Sequence, residues 1–218
     1  MKRLSKCLLT LVSVFSLAGC NVQEPSVYLG DDSVCPIPCW YGITPGRSTI
    51  EESVSTLNSL PFITGTKTTT SKNVTDVFWR YRWITADGSI IFKDGKLIVI
   101  RITPSDLSLG DVFNKLGSPE SVSAWYEPGD LVTYVVSLYY LDKGVVVIIA
   151  DRPQGDLSDP QRITKDLSVS QIHLFEPTDL GTFLKEISGK SEEYVVRVTE
   201  QLQPWPGFGD DVIHVNFP

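Results

Sequence analysis

Histidine and cysteine are scarce in this chain, with two histidines and four cysteines among 218 residues. His173 and His214 are far apart, and no Gly-x-Ser-x-Gly motif is present, so the sequence does not support a hydrolase of the Ser-His-Asp type. A zinc site needs three or four ligands close together in the fold, and these residues are not spaced to supply them. We therefore predict no catalytic residue and no metal site.

Nucleotide-binding motifs are also missing. The chain has neither a Walker loop nor a G-x-G-x-x-G pattern, the two glycine-rich motifs that bind phosphates. Its formal net charge is −7, and an acidic surface repels nucleic acid. The sequence thus predicts no cofactor and no nucleic-acid partner, and we expect the protein not to be an enzyme.

The first residues have the order of an export signal. Lys2, Arg3 and Lys6 precede an apolar run over residues 7–17, which is shorter than the roughly 20 residues needed to span a bilayer. The run ends in Leu17-Ala18-Gly19-Cys20, which resembles the lipobox of bacterial lipoproteins. That resemblance implies cleavage before Cys20 and a diacylglycerol on its thiol, with residues 1–19 as the signal peptide. The alternative is an ordinary secretory signal with an incidental cysteine.

The mature chain is expected to be extracytoplasmic and lipid-anchored. Losing the three basic residues of the signal changes the formal charge from −7 to −10. Attachment to the cell membrane or outer membrane must then come from the lipid on Cys20, because such a surface repels anionic headgroups. Residues 20–39 are predicted to be a tether that ends in a Cys35–Cys39 loop. Export favours a disulfide there; free thiols and a metal or redox pair are the alternatives.

The rest of the chain predicts an α+β fold built from tandem modules. In the first module, residues 40–102, a helix capped by Ser48 or Thr49, with Glu51 and Glu52 in its first turn, is followed by four strands in an antiparallel meander whose last turn is Asp94-Gly95. A second module, residues 103–168, begins where Ile102-Thr103-Pro104 repeats Ile43-Thr44-Pro45. Residues 169–218 are expected to be a strand-helix extension, a partial third repeat. Together these modules predict one twisted sheet with helices packed on one face.

The modules resemble a known group of envelope proteins. Gly42-Ile43-Thr44-Pro45-Gly46, a capped helix and Leu116-Gly117-Ser118-Pro119 are similar to the repeat of SmpA/BamE-type outer-membrane assembly lipoproteins and to the tandem modules of β-lactamase inhibitor protein. Each copy carries a different part of the motif. The resemblance covers about residues 40–150, and it implies protein binding and not catalysis.

Residues 77–83 predict which face of the sheet is free. Trp79, Tyr81 and Trp83 alternate with Arg80 and Arg82, so the two sets point to opposite sides of a regular strand. Because arginine is rarely buried without a partner, we expect the aromatics to pack under the helices and the arginines to stand on an open binding face. The other aromatic residues of the strands leave two alternatives, a packed core or an exposed protein- or sugar-binding surface.

These features favour a non-enzymatic, membrane-anchored module that binds a protein or another envelope component through Arg80 and Arg82. Two alternatives stay open. One is a cell-envelope enzyme that acts on carbohydrate or peptidoglycan, which would need a pair of carboxylates in a cleft. The other is a structural surface protein.

Overall fold

The computed structural model describes residues 27–30, 33–82, 87–127, 133–151 and 163–209, except for the side chains at positions 126, 127, 133 and 151. The predicted signal peptide, Cys20 and the residues that follow it up to position 26 lie outside these residues, as do Trp83 and His214. Within them, the predicted α+β class is confirmed.

Two capped helices start the two halves of the chain. Helix α1 spans Ile50–Ser59 and α2 spans Leu109–Leu116. Each begins with a capping box: Thr49 with Glu52 in α1, and Ser108 with Asp111 in α2. In both, the cap hydroxyl accepts a hydrogen bond from the N3 backbone N–H while the N3 carboxylate accepts one from the cap residue. Helix α1 therefore begins where the sequence predicts.

The four strands after α1 form the expected antiparallel meander. They are β1 (Ile63–Ser71), β2 (Val74–Tyr81), β3 (Asp87–Lys93) and β4 (Lys96–Thr103). Asp94 and Gly95 connect β3 to β4 with φ angles of 53° and 79°, the left-handed values that a two-residue hairpin loop of Asp-Gly sequence adopts.

A second meander follows α2 and is completed late in the chain. Strands β5 (Ser121–Glu127), β6 (Thr133–Tyr140) and β7 (Val145–Asp151) precede β8 (Gln171–Leu174), which pairs with β7. Strand β8 also pairs antiparallel with β4. With the two-residue β9 (Gln203–Pro204), the nine-stranded sheet has the order β1-β2-β3-β4-β8-β7-β6-β5-β9. The two four-strand meanders thus mirror each other about the β4–β8 pair.

One face of this sheet, here called the helix face, carries the larger core. Leu57 of α1 and Leu109 and Val112 of α2 are buried there against strand residues of both meanders. Trp40 is fully buried in the same cluster, and its indole ring stacks on Trp79 with ring centroids 5.2 Å apart. The predicted packing of the strand aromatics toward the helices is therefore confirmed for Trp79 and Tyr81, which are 1% and 5% exposed.

The opposite face, here called the second face, carries a smaller core. A short helix α3 (Leu180–Thr182) continues as a π-helical turn (Phe183–Ile187) and is followed by α4 (Glu192–Glu200). Phe183, Val195 and Val198 pack there against Tyr139 of β6 and Val146 of β7. The prediction of helices on one face therefore fails for this segment. Tyr139 and Val146 place large, mainly apolar side chains on the second face of β6 and β7, and the C-terminal helices shield these side chains from water.

Candidate functional site

The second face changes from covered to open along a single row of residues. Strand pairing places on this face, in order from β1 to β6, Lys67, Phe78, Ser89, Arg101, His173, Val146 and Tyr139. Tyr139, Val146 and His173 are buried, whereas Phe78 is 44% exposed. Arg101 lies at the boundary. We call the part of this face on β1–β4 the open face.

A groove of about 580 Å³ runs along the open face. Its walls combine one exposed aromatic ring with hydroxyl groups and cationic side chains. The lining residues are Thr64, Gly65, Thr66, Lys67, Phe78, Trp79, Arg80, Asp87, Gly88, Ser89, Arg101, Thr103 and Gln171. They come from five strands, β1–β4 and β8, so the groove depends on the pairing of the two meanders.

The two arginines of the groove differ in exposure, and neither has a carboxylate in contact among the described residues. Arg80 is exposed, whereas Arg101 is half-buried, and its desolvation lowers the pKa of the guanidinium although the charge of Asp76 acts in the opposite direction. Nε of Arg101 is buried without a hydrogen-bond acceptor. Among the residues that the structure describes, neither arginine makes an ion pair. The groove thus presents two guanidinium groups whose charge no described carboxylate neutralises by contact.

His173 supports the end of the groove without lining it. Its Nε2 lies 2.7 Å from Oε1 of Gln171, and Arg101 is its Cα partner on β4. Burial, helped by the charges of Arg101 and Lys190, lowers the pKa of His173 to about 3, so the imidazole is neutral at physiological pH. Since Oε1 of Gln171 accepts the hydrogen bond from Nε2, the Gln171 amide nitrogen remains to donate elsewhere. His173 is thus a packed strand residue.

The structure separates the two arginines that the sequence proposed for the binding face. Arg80 lines the groove, whereas Arg82 is exposed after the end of β2 and is not among the lining residues. Arg101 and Gln171 join Arg80 instead. A sequence signal for Arg101 exists, because it is the one charged residue inside the apolar run Leu97–Ile102, and a polar side chain in a buried strand is the informative exception.

The predicted loop ahead of Trp40 closes on itself. The sulfur atoms of Cys35 and Cys39 are 2.05 Å apart, and the Cα atoms are 5.7 Å apart, the geometry of a disulfide. Trp40 follows directly, and its Nε1 donates a hydrogen bond to the carbonyl oxygen of Val27. The loop therefore fixes the chain where it enters the helix-face core.

Three of the remaining strand aromatics occupy the core. Tyr134 and Tyr140 are buried on the helix face, and Tyr139 is buried on the second face. Trp125 is half-buried and contacts the ring of Tyr194 in α4. The three tyrosines follow the packed-core alternative, and among the described residues Phe78 is the large aromatic side chain left exposed.

The described residues hold no group of three or more histidine, cysteine or acidic side chains placed to bind a metal ion. No helix among them is long and apolar enough to cross a membrane. Comparisons of the chain with protein-family models, curated proteins and solved structures found no match.

Proposed function

We propose that this protein is a lipid-anchored, extracytoplasmic binding module that holds a partner protein against its open face. The observation that carries the proposal is the groove, in which exposed Phe78 lies beside Arg80 and Arg101 on an otherwise acidic chain. Aromatic residues, phenylalanine included, and arginine are enriched in protein–protein interfaces relative to the rest of the surface. The lipobox at Cys20 would keep this surface at a membrane.

The order of the strands is in keeping with an internal duplication. Each half consists of a helix that begins with a capping box and a four-strand meander, and the halves meet at β4 and β8. The resemblance to SmpA/BamE-type lipoproteins and β-lactamase inhibitor protein points in the same direction, toward tandem modules that bind proteins. We include this duplication in the proposal.

A carbohydrate-cleaving enzyme finds less support in the groove. Such an enzyme uses two carboxylates that flank the scissile bond. Among the described residues that line the groove, Asp87 alone carries a carboxylate. The groove is therefore better suited to binding than to this chemistry.

The proposal is tested by site-specific photocrosslinking in the native host. The crosslinking residue p-benzoylphenylalanine replaces Phe78 in one variant and Val196, an exposed apolar residue of α4, in a control. We expect a discrete protein adduct at position 78 that is absent at position 196 and is lost when Arg80→Glu is added. No adduct at position 78, or the same adduct at both positions, would show that the open face is not the binding surface.

A further inference from the structure

We infer that the groove binds an extended acidic peptide segment, with a carboxylate of that segment between Arg80 and Arg101. This inference rests on the proposed function and specifies the chemistry of the partner. It starts from the charge of the groove. Arg80 and Arg101 make no ion pair with described residues, and Lys67 adds a third cation on the same face. Asp87, the register partner of Arg80, is the one carboxylate among the described lining residues, so cations outnumber anions there. On a chain of formal charge −7, this concentration of cations favours an anionic ligand.

The half-buried position of Arg101 favours a carboxylate. Desolvation disfavours its charged form, and an anion that enters the groove would offset that cost through short, charge-assisted hydrogen bonds. A guanidinium presents its N–H groups in a planar fork that matches the two oxygens of a carboxylate. Nε of Arg101, buried without an acceptor, is one of the donors available for this pairing.

Neutral donors on neighbouring strands complete the anion site. Because Oε1 of Gln171 is bonded to His173, the amide N–H groups of Gln171 are its remaining hydrogen-bonding groups, and Gln171 lines the groove. Ser89 is the register partner of Arg101 on β3, and Thr103 follows Arg101 by two residues on the same face. The groove thus offers amide and hydroxyl donors around the two guanidinium groups.

The edge of the sheet determines what kind of anion fits. Residues 64–67 of β1 line the groove, and β1 is the end strand of the sheet, paired only with β2 among the described strands. Its outer backbone groups are free to pair with an added strand, a common mode of peptide recognition. Because a strand added to β1 lies four strand spacings of about 4.8 Å from β4, the residues that pair with β1 cannot themselves reach Arg101. The segment that follows them crosses the open face past Phe78 and brings its carboxylate between Arg80 and Arg101. An anionic polymer without peptide groups could not use this edge.

The test measures the binding of defined peptides to the mature full-length protein by fluorescence anisotropy. The probe is a short labelled peptide in which glutamate alternates with threonine, and the matched probe has glutamine in place of glutamate. We expect the glutamate peptide to bind about tenfold more tightly or better, since hydrogen bonds between charged groups contribute about 1.5–3 kcal/mol. Its affinity should fall as salt is added.

Matched variants locate the site. Arg80→Gln and Arg101→Gln should each weaken binding of the glutamate peptide by about tenfold, and Arg101→Lys should recover only part of the loss because lysine lacks the planar fork. Arg47→Gln removes the same charge at an exposed position that does not line the groove and should leave the affinity unchanged. Circular dichroism and urea unfolding establish that each variant is folded.

Three results would overturn the inference. The first is that the glutamate and glutamine peptides bind with equal affinity. The second is that folded Arg101→Gln binds the glutamate peptide as tightly as the wild type does. The third is that methylating alternate backbone nitrogens of the glutamate peptide, which prevents it from pairing with β1, leaves its affinity unchanged. Inorganic polyphosphate that binds more tightly than the peptide would likewise overturn it, because the ligand would then be an anionic polymer and not a peptide.

The crosslinking experiment separates this inference from the proposed function. If the adduct at position 78 forms but the glutamate peptide does not bind, the inference of an acidic segment is wrong and the proposed function stands. If that adduct is absent, the proposed function itself fails.

Discussion

Gln171 and His173 lie two residues apart on the same face of β8, and Oε1 of Gln171 is 2.7 Å from Nε2 of His173. This pair joins the two parts of the second face. Gln171 lines the groove, and His173 is buried with its ring centroid 6.2 Å from that of Phe183. A buried histidine with one nitrogen bonded and the other, Nδ1, without a partner is held in its neutral form.

The buried imidazole of His173 predicts a loss of stability in mild acid. Its pKa is lowered from 6.5 to about 3 by burial, so between these values the unfolded chain binds a proton that the folded chain does not. The free energy of unfolding must then fall as the pH falls below 6.5, by about 2 kcal/mol between pH 7.5 and pH 5.

Urea unfolding at several pH values measures this effect against His173→Gln. The variant starts from a lower stability at pH 7.5, but its stability should fall by about 2 kcal/mol less on going to pH 5. His214 and the carboxylates are present in both proteins, so their contributions cancel. Parallel pH dependences would mean that His173 is accessible to protons in the folded protein.

Adjacent residues of β2 should differ sharply in their effect on stability. Trp79 is 1% exposed and stacks on Trp40, whereas Arg80 is exposed. We expect Trp79→Ala to lower the free energy of unfolding by about 3–5 kcal/mol and Arg80→Ala to change it by less than about 0.5 kcal/mol. Urea unfolding of the two variants measures both changes. If Arg80→Ala lowered the free energy of unfolding more than Trp79→Ala does, the assignment of faces would be wrong. The prediction that Trp83 also packs under the helices concerns a residue outside the described part of the chain.

Local pattern was sufficient for much of the fold. The alternation at residues 77–81 predicted the faces of β2, and Asp94-Gly95 predicted the β3–β4 hairpin, because both signals reside in a few consecutive residues. The pairing of Arg101 with His173 could not be predicted in this way, since it joins strands from different meanders. For the same reason the sequence pointed to Arg80 and did not place Arg101 beside it.

The cover on the second face was missed for a different reason. The signal for α4 exists: Ser191 caps the helix, Glu192 and Glu193 occupy its first turn, and Val195 and Val198 share one side. A stripe of two valines is too short to indicate a helix by periodicity. Nor does it indicate which face of the sheet the helix covers, because that depends on the path of the chain after β8.

Close packing around Gly88 predicts a strong interaction with Trp79. A Cβ atom at position 88 would overlap with the six-membered ring of the indole, so Gly88→Ala should cost about 1–3 kcal/mol of stability. In a Trp79→Phe background the smaller ring relieves the overlap, and the same substitution should cost less. A double-mutant cycle by urea unfolding measures the difference. Ser89→Ala, on the opposite face, serves as the control, and additive effects would contradict the predicted clash.

The Cys35–Cys39 bridge should support the fold without being essential to it. The ring that it closes is small, so it restricts the unfolded chain only modestly, and replacing both cysteines with serine should cost about 1–3 kcal/mol. Alkylation of protein isolated from the native host, with and without reductant, should label both thiols only after reduction, as mass spectrometry can show. Two thiols that are labelled without reductant would exclude the bridge in the native protein.

Acylation of Cys20 is the prediction on which the membrane location depends. The apolar run ends at Leu17-Ala18-Gly19-Cys20, which resembles a lipobox, and a chain cleaved before Cys20 would carry too much negative charge to associate with anionic headgroups by itself. In the native host, a clickable fatty-acid analogue should label the wild-type protein, and Cys20→Ala should remove the label together with most of the membrane-bound fraction. Cys7→Ala changes a cysteine within the apolar run and should leave the labelling intact. A label that persists in Cys20→Ala would show that the lipid is attached elsewhere, as would a label that disappears in Cys7→Ala although the protein is still exported. Either result would remove the evidence that Cys20 holds the groove near a membrane.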